Sequence, residues 1–461
     1  MSKYLMIDFG STFTKLTAVD SEKEDIIATA SHFTTVDTDI TIGYENALNA
    51  LYEKIGEKIV FDKTISCSSA AGGLKMCAIG LIEELTVEAA KRVCLGAGAK
   101  VDMVLSHHIT KSEVEKIIKM KIDIILLAGG TDGGNSECVL YNCEMLGKAG
   151  IKIPVVFAGN KCCVDEIKEL FEKYNMNGYI CENVMPKINV LNLPNAREKI
   201  RELFLTNIIE AKGIKKIEKV IDKVILPTPE AVLNAAELLS KGYMHEFGLG
   251  EIILYDIGGA TTDMYSMCAY SAKRSDVVLK GLEEPYAKRT VEGDLGMRYS
   301  AIGIASSLTT EEKRMLKEDQ NIDIEKEAEF RNANPDVIFD DELGIKVDTI
   351  LGGVCVDKAT HRHVGIMEEV YTPLGMAYNQ TGKDLSHVGF VIGTGGVLIN
   401  SKNPKEILEK SLYRRDFPLE LRPMNPQYMI DKDYILASMG LLSKIDPLLA
   451  LKIMKKHIVQ I

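Results

Sequence analysis

Two stretches carry residues whose types and spacing suit phosphate chemistry: DFGSTFTK, Asp8 to Lys15, and DIGGATTD, Asp256 to Asp263. Each sets an aspartate at the end of a β-rich run and follows it with small residues. In the first, Gly10 lets backbone N–H groups face an anion with no Cβ in the way. Ser11 and Thr12 add N–H and hydroxyl donors, and Thr14 lies beside them. Lys15, on the outgoing strand, brings positive charge toward a γ-phosphate. In the second, Gly258, Gly259, Ala260, Thr261 and Thr262 form a turn of the same kind. A carboxylate does not touch phosphate directly, so Asp8 and Asp256 suit Mg²⁺, held through the waters that this ion keeps. A third glycine turn, Gly393, Thr394, Gly395 and Gly396, follows a strand with no acid at its end. It suits a nucleoside or an α-phosphate. Two acid-led hairpins facing each other would clamp a triphosphate from both sides.

Such turns need strands and helices to hold them. Residues 4–9, 14–20 and 25–33 read as three consecutive strands, and the apolar spacing of 43–57 predicts a helix. From MCAIGLI (76–82) to GYICENV (178–184) strands alternate with helices, which predicts βαβ units and a parallel sheet. Asn195 to Val220 reads as a long helical block. LPTPE (226–230) opens the helix AVLNAAELLSKG, and EIILYDIGGATTDMYSMCAY (251–270) restarts the strand–turn–strand device of the N-terminus. Residues 308–345 read as charged helix, irregular around Pro335. VGFVIGTGGVLI (388–399) reads as a buried strand entering a glycine turn, and 432–461 as helix.

The 461 residues exceed one ordinary core, so two or three domains are expected. A hydrophobic fraction of 46%, a charged fraction of 26% and a mean hydropathy of +0.02 describe a soluble globular chain. The net charge of −11 and the pI near 5.4 disfavour a general binder of nucleic acid or of an anionic membrane. A nucleotide stays compatible, since backbone dipoles and Mg²⁺ hold phosphate in an acidic protein. Asp8 interrupts the short N-terminal apolar run, so no signal peptide is expected, and no segment reads as a membrane span. Ten cysteines without a CxxC pair fit small buried side chains in a reducing cytoplasm. His361 and His363 read as a surface feature of a strand rather than a metal chelate. AGGTDGGN (128–135) reads either as an anion loop at the carboxyl edge of a parallel sheet or as a turn that needs small residues.

With these motifs in this order, the chain resembles the actin, hexokinase and heat-shock-chaperone superfamily of ATPases. DFGSTFTK resembles its first phosphate motif, DIGGATTD its second and VIGTGGVL its adenosine motif. PTPEAVLNAAELL resembles the first connecting helix, and YILASMGLL (434–442) more weakly the second. Ala260 departs from the pattern where many relatives carry a third glycine. The resemblance implies an α/β fold of two lobes with ribonuclease H-like sheets and ATP in the cleft. Asp8 and Asp256 would serve Mg²⁺ and the attacking water. Residues 1–250 would form the first lobe, with an inserted α/β domain at about 75–185, and residues 251–461 the second.

Within that superfamily the chain is similar to the glutamate mutase L family, on MIDFGSTFTK, AGGTDGGN, LPTPEAVL, DIGGATTD and ILASMGLLS. Its members are chaperone-like reactivating ATPases of adenosylcobalamin-dependent mutases and aminomutases. That implies ATP and Mg²⁺ as cofactors, mutase subunits as partners and the inserted domain as a docking element. It implies no nucleic acid and no membrane, with a homodimer left open. A small-molecule kinase would share all three loops, and an actin-like filament protein would share the fold. No G-x-G-x-x-G opens a helix, which disfavours a Rossmann oxidoreductase.

Overall fold

The computed structural model describes residues 2–10, 13–34, 40–69, 74–211, 223–373 and 375–461. Strands Lys3–Phe9, Phe13–Asp20 and Asp25–Phe33 form an antiparallel meander, as their apolar alternation predicts. Lys63–Ser68 joins Lys3–Phe9 in parallel, and Lys223–Pro227 joins Lys63–Ser68 in parallel on its far side. The sequence reading has no strand at Lys63–Ser68. Thr64, Ser66 and Ser68 alternate along it and are buried, so it carries little apolar signal.

A second sheet repeats this plan. Ile252–Ile257, Thr262–Met267 and Ala287–Glu292 form an antiparallel meander. Phe390–Thr394 pairs in parallel with Ile252–Ile257, and Gln427–Asp431 in parallel with Phe390–Thr394. Ile458–Gln460 adds an antiparallel edge where the sequence predicts helix. The β-branched Ile458 and Val459 leave the helix Pro447–His457 and pair with Asp431 and Ile430 instead. In both sheets the first strand of the meander is central, with the meander on one side and parallel strands on the other. The α/β class holds.

Between them in sequence lies a five-stranded, all-parallel sheet: Lys75–Gly80, Lys100–Ser106, Ile124–Leu127, Val155–Phe157 and Gly178–Ile180. Its first strand sits between the second and the third. IILL and VVF are wholly buried, as strands covered on both faces are. The helix Pro194–Ala211 begins the predicted helical block, and residues 212–222 lie outside the described residues.

Two helices, Thr228–Lys241 and Leu436–Leu442, cross between the two sheets and share one core with strands of both. They approach so closely that a Cβ on Gly440 would strike the Ala231 carbonyl. Thr17 and Ser438 exchange a hydroxyl bond of 2.9 Å at this junction. The histidines of HRH end the long helix Glu342–His363, not a strand. His361 meets Glu420 at 2.5 Å, while His363 is fully buried between Ser266 and Thr290. They point to different partners, and His363 is no surface feature. Nine of the ten cysteines are buried and Cys162 is exposed. Among the described residues, no helix is long and apolar enough to cross a membrane.

Candidate functional site

The two acid-led hairpins have the same construction. In the first, Phe9 pairs with Thr14 and the turn closes with Gly10 N–H donating to the Phe13 carbonyl at 3.1 Å. In the second, Ile257 pairs with Thr262 and Gly258 N–H donates to the Thr261 carbonyl at 2.9 Å. Both turns open on one crevice of about 680 Å³ between the two sheets. Asp8, Gly10 and Lys15 line it from one side; Asp256, Gly258, Gly259, Ala260, Thr261 and Gly396 line it from the other. A larger cavity of about 1050 Å³, beside the helix Glu342–His363, contains none of the sequence-predicted residues.

The second turn presents unused donors. The carbonyls of Gly258 and Gly259 are taken by the N–H groups of Met297, Arg298 and Tyr299, at 2.8–3.1 Å. The Ala260 carbonyl accepts from the Ser300 hydroxyl at 2.8 Å. Among the described residues, the N–H groups of Gly259, Ala260 and Thr261 donate to no backbone acceptor. A Cβ at Gly259 would meet nothing nearer than 3.6 Å, so the space over this turn is open. A cradle of free N–H groups beside open space fits phosphate.

The two aspartates differ in surroundings. Asp8 is buried and takes the Thr228 hydroxyl at 2.6 Å, Lys15 Nζ at 3.3 Å and the Cys67 thiol at 3.5 Å. Thr228 is the first residue of its helix, whose N-terminus favours an anion. Burial works against the Lys15 ammonium, but Tyr434 and then Asp8 outweigh it and hold its pKa above the lysine range. Asp256 accepts no hydrogen bond and joins no ion pair among the described residues. Burial first, then the neighbouring Asp263, push its carboxyl up to about 7. Asp263 is itself occupied: Arg289 grips it at 2.6 and 2.7 Å and also donates to the Leu95 and Ala99 carbonyls at 3.1 Å.

Among the described residues no cluster of three or more His, Cys, Asp or Glu side chains could hold a metal ion. Two carboxylates with water and phosphate oxygens would suffice for Mg²⁺, which binds through few protein groups. The unpaired Asp256 and the nearby Asp8 fit that need.

Other sequence-predicted residues face elsewhere. Thr14 is buried and shares a hydroxyl bond of 3.1 Å with Thr34. Thr262 donates to the Leu295 carbonyl at 2.6 Å, and Thr394 to Asp431 at 2.9 Å. Gly393 packs among Leu398, Leu408 and Ile430. Gly395, at φ +90, has no room for a Cβ because Asp256 Oδ1 would lie 2.5 Å away; it lets the chain pass the acid. Ser11 and Thr12 lie outside the described residues. AGGTDGGN is stapled by Asn160, which accepts from Gly133 N–H at 3.0 Å, and by Asn183, which donates to the Gly130 carbonyl at 3.1 Å. Sequence reasoning missed Thr228, Tyr434, Arg289 and Arg298 at the site. Only Thr228 had a signal, its place between two prolines at a helix start.

A family model for the MutL protein matches residues 4–458. The curated Protein MutL of Clostridium tetanomorphum is 50% identical over 462 residues, spanning 100% of both chains. Among solved structures, component A of (R)-2-hydroxyglutaryl-CoA dehydratase from Acidaminococcus fermentans covers 99% of each chain at 10% identity, with a TM-score of 0.34. Xylulose kinase from Lactobacillus acidophilus covers 100% of this chain and 93% of its own at 10% identity, with a TM-score of 0.38.

Proposed function

The chain belongs to the MutL family, and from that premise we propose that it is a glutamate-mutase-associated ATPase. More finely, it acts as a reactivating factor for an adenosylcobalamin-dependent mutase or aminomutase. The observation that carries the ATPase reading is the pair of matched hairpins opening on one crevice, with Asp256 unpaired between them.

The residues divide the work by their chemistry. The free N–H groups of Gly259, Ala260 and Thr261 take phosphate oxygens. Lys15 offsets charge at the terminal phosphate. Asp256, with its carboxyl near 7, takes a proton from the attacking water, since a base works best when its pKa lies near the working pH. Asp8 and Asp256 would hold Mg²⁺, and that ion when bound would neutralise phosphate charge. Gly396 and its neighbours Val397 and Asn400 face the nucleoside end of the same crevice.

Residues from both sheets touch the same phosphates in this reading. Hydrolysis weakens the contacts that bridge the two lobes, and cleft opening becomes favourable. The partner mutase, holding a damaged cobalamin, would be loosened by that motion. The parallel sheet at about residues 75–185 is the proposed docking element. The protein acts in the cytoplasm.

The test is ATP hydrolysis by the purified chain, alone and with mutase subunits from the same cell. Slow turnover stimulated by the mutase, with recovery of an inactivated mutase, supports the reading. Turnover stimulated by a small hydroxylated metabolite, with its phosphorylation, makes the protein a kinase and ends the proposal.

A further inference from the structure

Tyr434 stands in a backbone conformation that side chains seldom adopt, with φ +55. It follows the strand Gln427–Asp431, and its N–H closes a turn onto the Asp431 carbonyl at 3.2 Å. Asp431 anchors that turn. It is fully buried and accepts from Ile435 N–H at 3.0 Å, Leu436 N–H at 3.1 Å and the Thr394 hydroxyl at 2.9 Å. The second sheet therefore dictates where the Tyr434 ring goes.

The ring centre lies 3.5 Å from Lys15 Nζ, which belongs to the first sheet. That separation is well within cation–π range. Asp8 holds the same ammonium at 3.3 Å. Lys15 is thus gripped by its own sheet through charge and by the opposite sheet through an aromatic face. Burial pushes the Tyr434 hydroxyl up to about 12, so the ring acts as a neutral π face. A left-handed tyrosine maintained at the floor of a crevice is the kind of local strain that functional sites retain.

We infer that Tyr434 is a positioning residue, which fixes the Lys15 ammonium at the phosphate hairpins and ties that placement to the second sheet. The inference rests on the nucleotide reading above. Lys15 addresses the terminal phosphate, so the ring acts on ATP and leaves ADP alone.

Displacement of a fluorescent nucleotide by ATP and by ADP, with thermal melting in parallel, tests it on the full chain. Tyr434→Phe keeps the ring and retains the preference for ATP over ADP. Tyr434→Asn removes the ring yet suits the left-handed backbone. Its Tm is expected to be unchanged or raised, its ATP affinity to fall about tenfold, and its ADP affinity to stay within about twofold. Equal losses for ATP and ADP, a drop in Tm that accompanies both, or an Asn variant with the original preference would each overturn the inference. A native chain that binds neither nucleotide overturns the ATPase reading and this inference with it, before any variant is compared.

Discussion

In the first hairpin the residue in register with the strand-ending aspartate is a lysine; in the second it is another aspartate. Asp8 pairs across the strands with Lys15, and Asp256 with Asp263. The turns between them close by the same bond, from Gly10 to Phe13 and from Gly258 to Thr261. One backbone device therefore carries opposite electrostatics. Asp8 has a cation at 3.3 Å and a hydroxyl at 2.6 Å. Among the described residues Asp256 has no hydrogen-bond or ion-pair partner of its own, and Arg289, on the strand beside its hairpin, is spent on Asp263. A carboxylate tied to a cation and a hydroxyl is a fixed charge. A buried carboxylate facing a like charge is held ready to take a proton. The same loop thus yields an anchor in one half and a base in the other.

Removing the reactive side of that contrast should have the largest effect. Asp256→Ala is expected to lower ATP turnover about a thousandfold while leaving ATP affinity within about tenfold, measured by phosphate release and by titration. Native turnover should fall as pH drops below about 7, where Asp256 gains its proton; a flat profile from pH 8 to 5 would remove it as the base. Gly259→Val should weaken ATP binding by about a hundredfold with little change in Tm, because the nearest atoms to a Cβ there lie at 3.6–3.8 Å and the branch enters phosphate space. Normal affinity in that variant would break the equivalence of the two turns.

A fourth effect is smaller and has a definite sign. Folded Asp256 has its carboxyl raised from 3.8 to about 7. Between those values the folded chain holds a proton that the unfolded chain has released. Stability is therefore lost as pH rises from about 4 to about 7, and the loss is complete above that. Asparagine cannot ionise. Asp256→Asn should raise Tm by roughly 2 °C at pH 8, by less at pH 6 and not at all near pH 4. The smallest effect separates the turns themselves. A Cβ at Gly10 would lie 2.6 Å from the Phe13 carbonyl, against 3.3 Å from the Thr261 carbonyl at Gly258. Gly10→Ala should cost about 1–2 kcal/mol in chemical denaturation and Gly258→Ala less than about 1 kcal/mol. The reverse order would show that the two turns relax differently.

Much of this was legible before any coordinates. β-rich apolar runs located the first meander and the first two strands of the second, while Ala287–Glu292, with Lys288, Arg289 and Glu292 along it, went unread. The glycines of DFG and DIGG marked the turns, although only at Gly10 would a Cβ press on the chain's own carbonyl, at 2.6 Å. Lys63–Ser68 was invisible, since one of its two buried faces is built from hydroxyls and the other has only Ile65 and Cys67. Thr14, Thr262 and Thr394 were grouped with the turn donors by adjacency, but strand geometry aims each one into the protein. The HRH pair misled because residues 342–363 mix charge and apolar side chains on every side, which hides the helical period.

Local sequence settled what each hairpin is: an acid, a tight turn and an outgoing strand, since these depend only on neighbours along the chain. It also settled that the two are variants of one device. Tertiary structure alone decided that they meet over a common crevice. Asp8 finds Thr228 some two hundred residues away, Lys15 finds Tyr434, and Asp263 finds Arg289. No spacing rule reaches across such separations. Asp263 and Arg289 meet on neighbouring strands of one sheet, whereas the meeting of Lys15 with Tyr434 depends on how one sheet faces the other, and the helices that cross at Gly440 and Ala231 pack there with no room for a side chain.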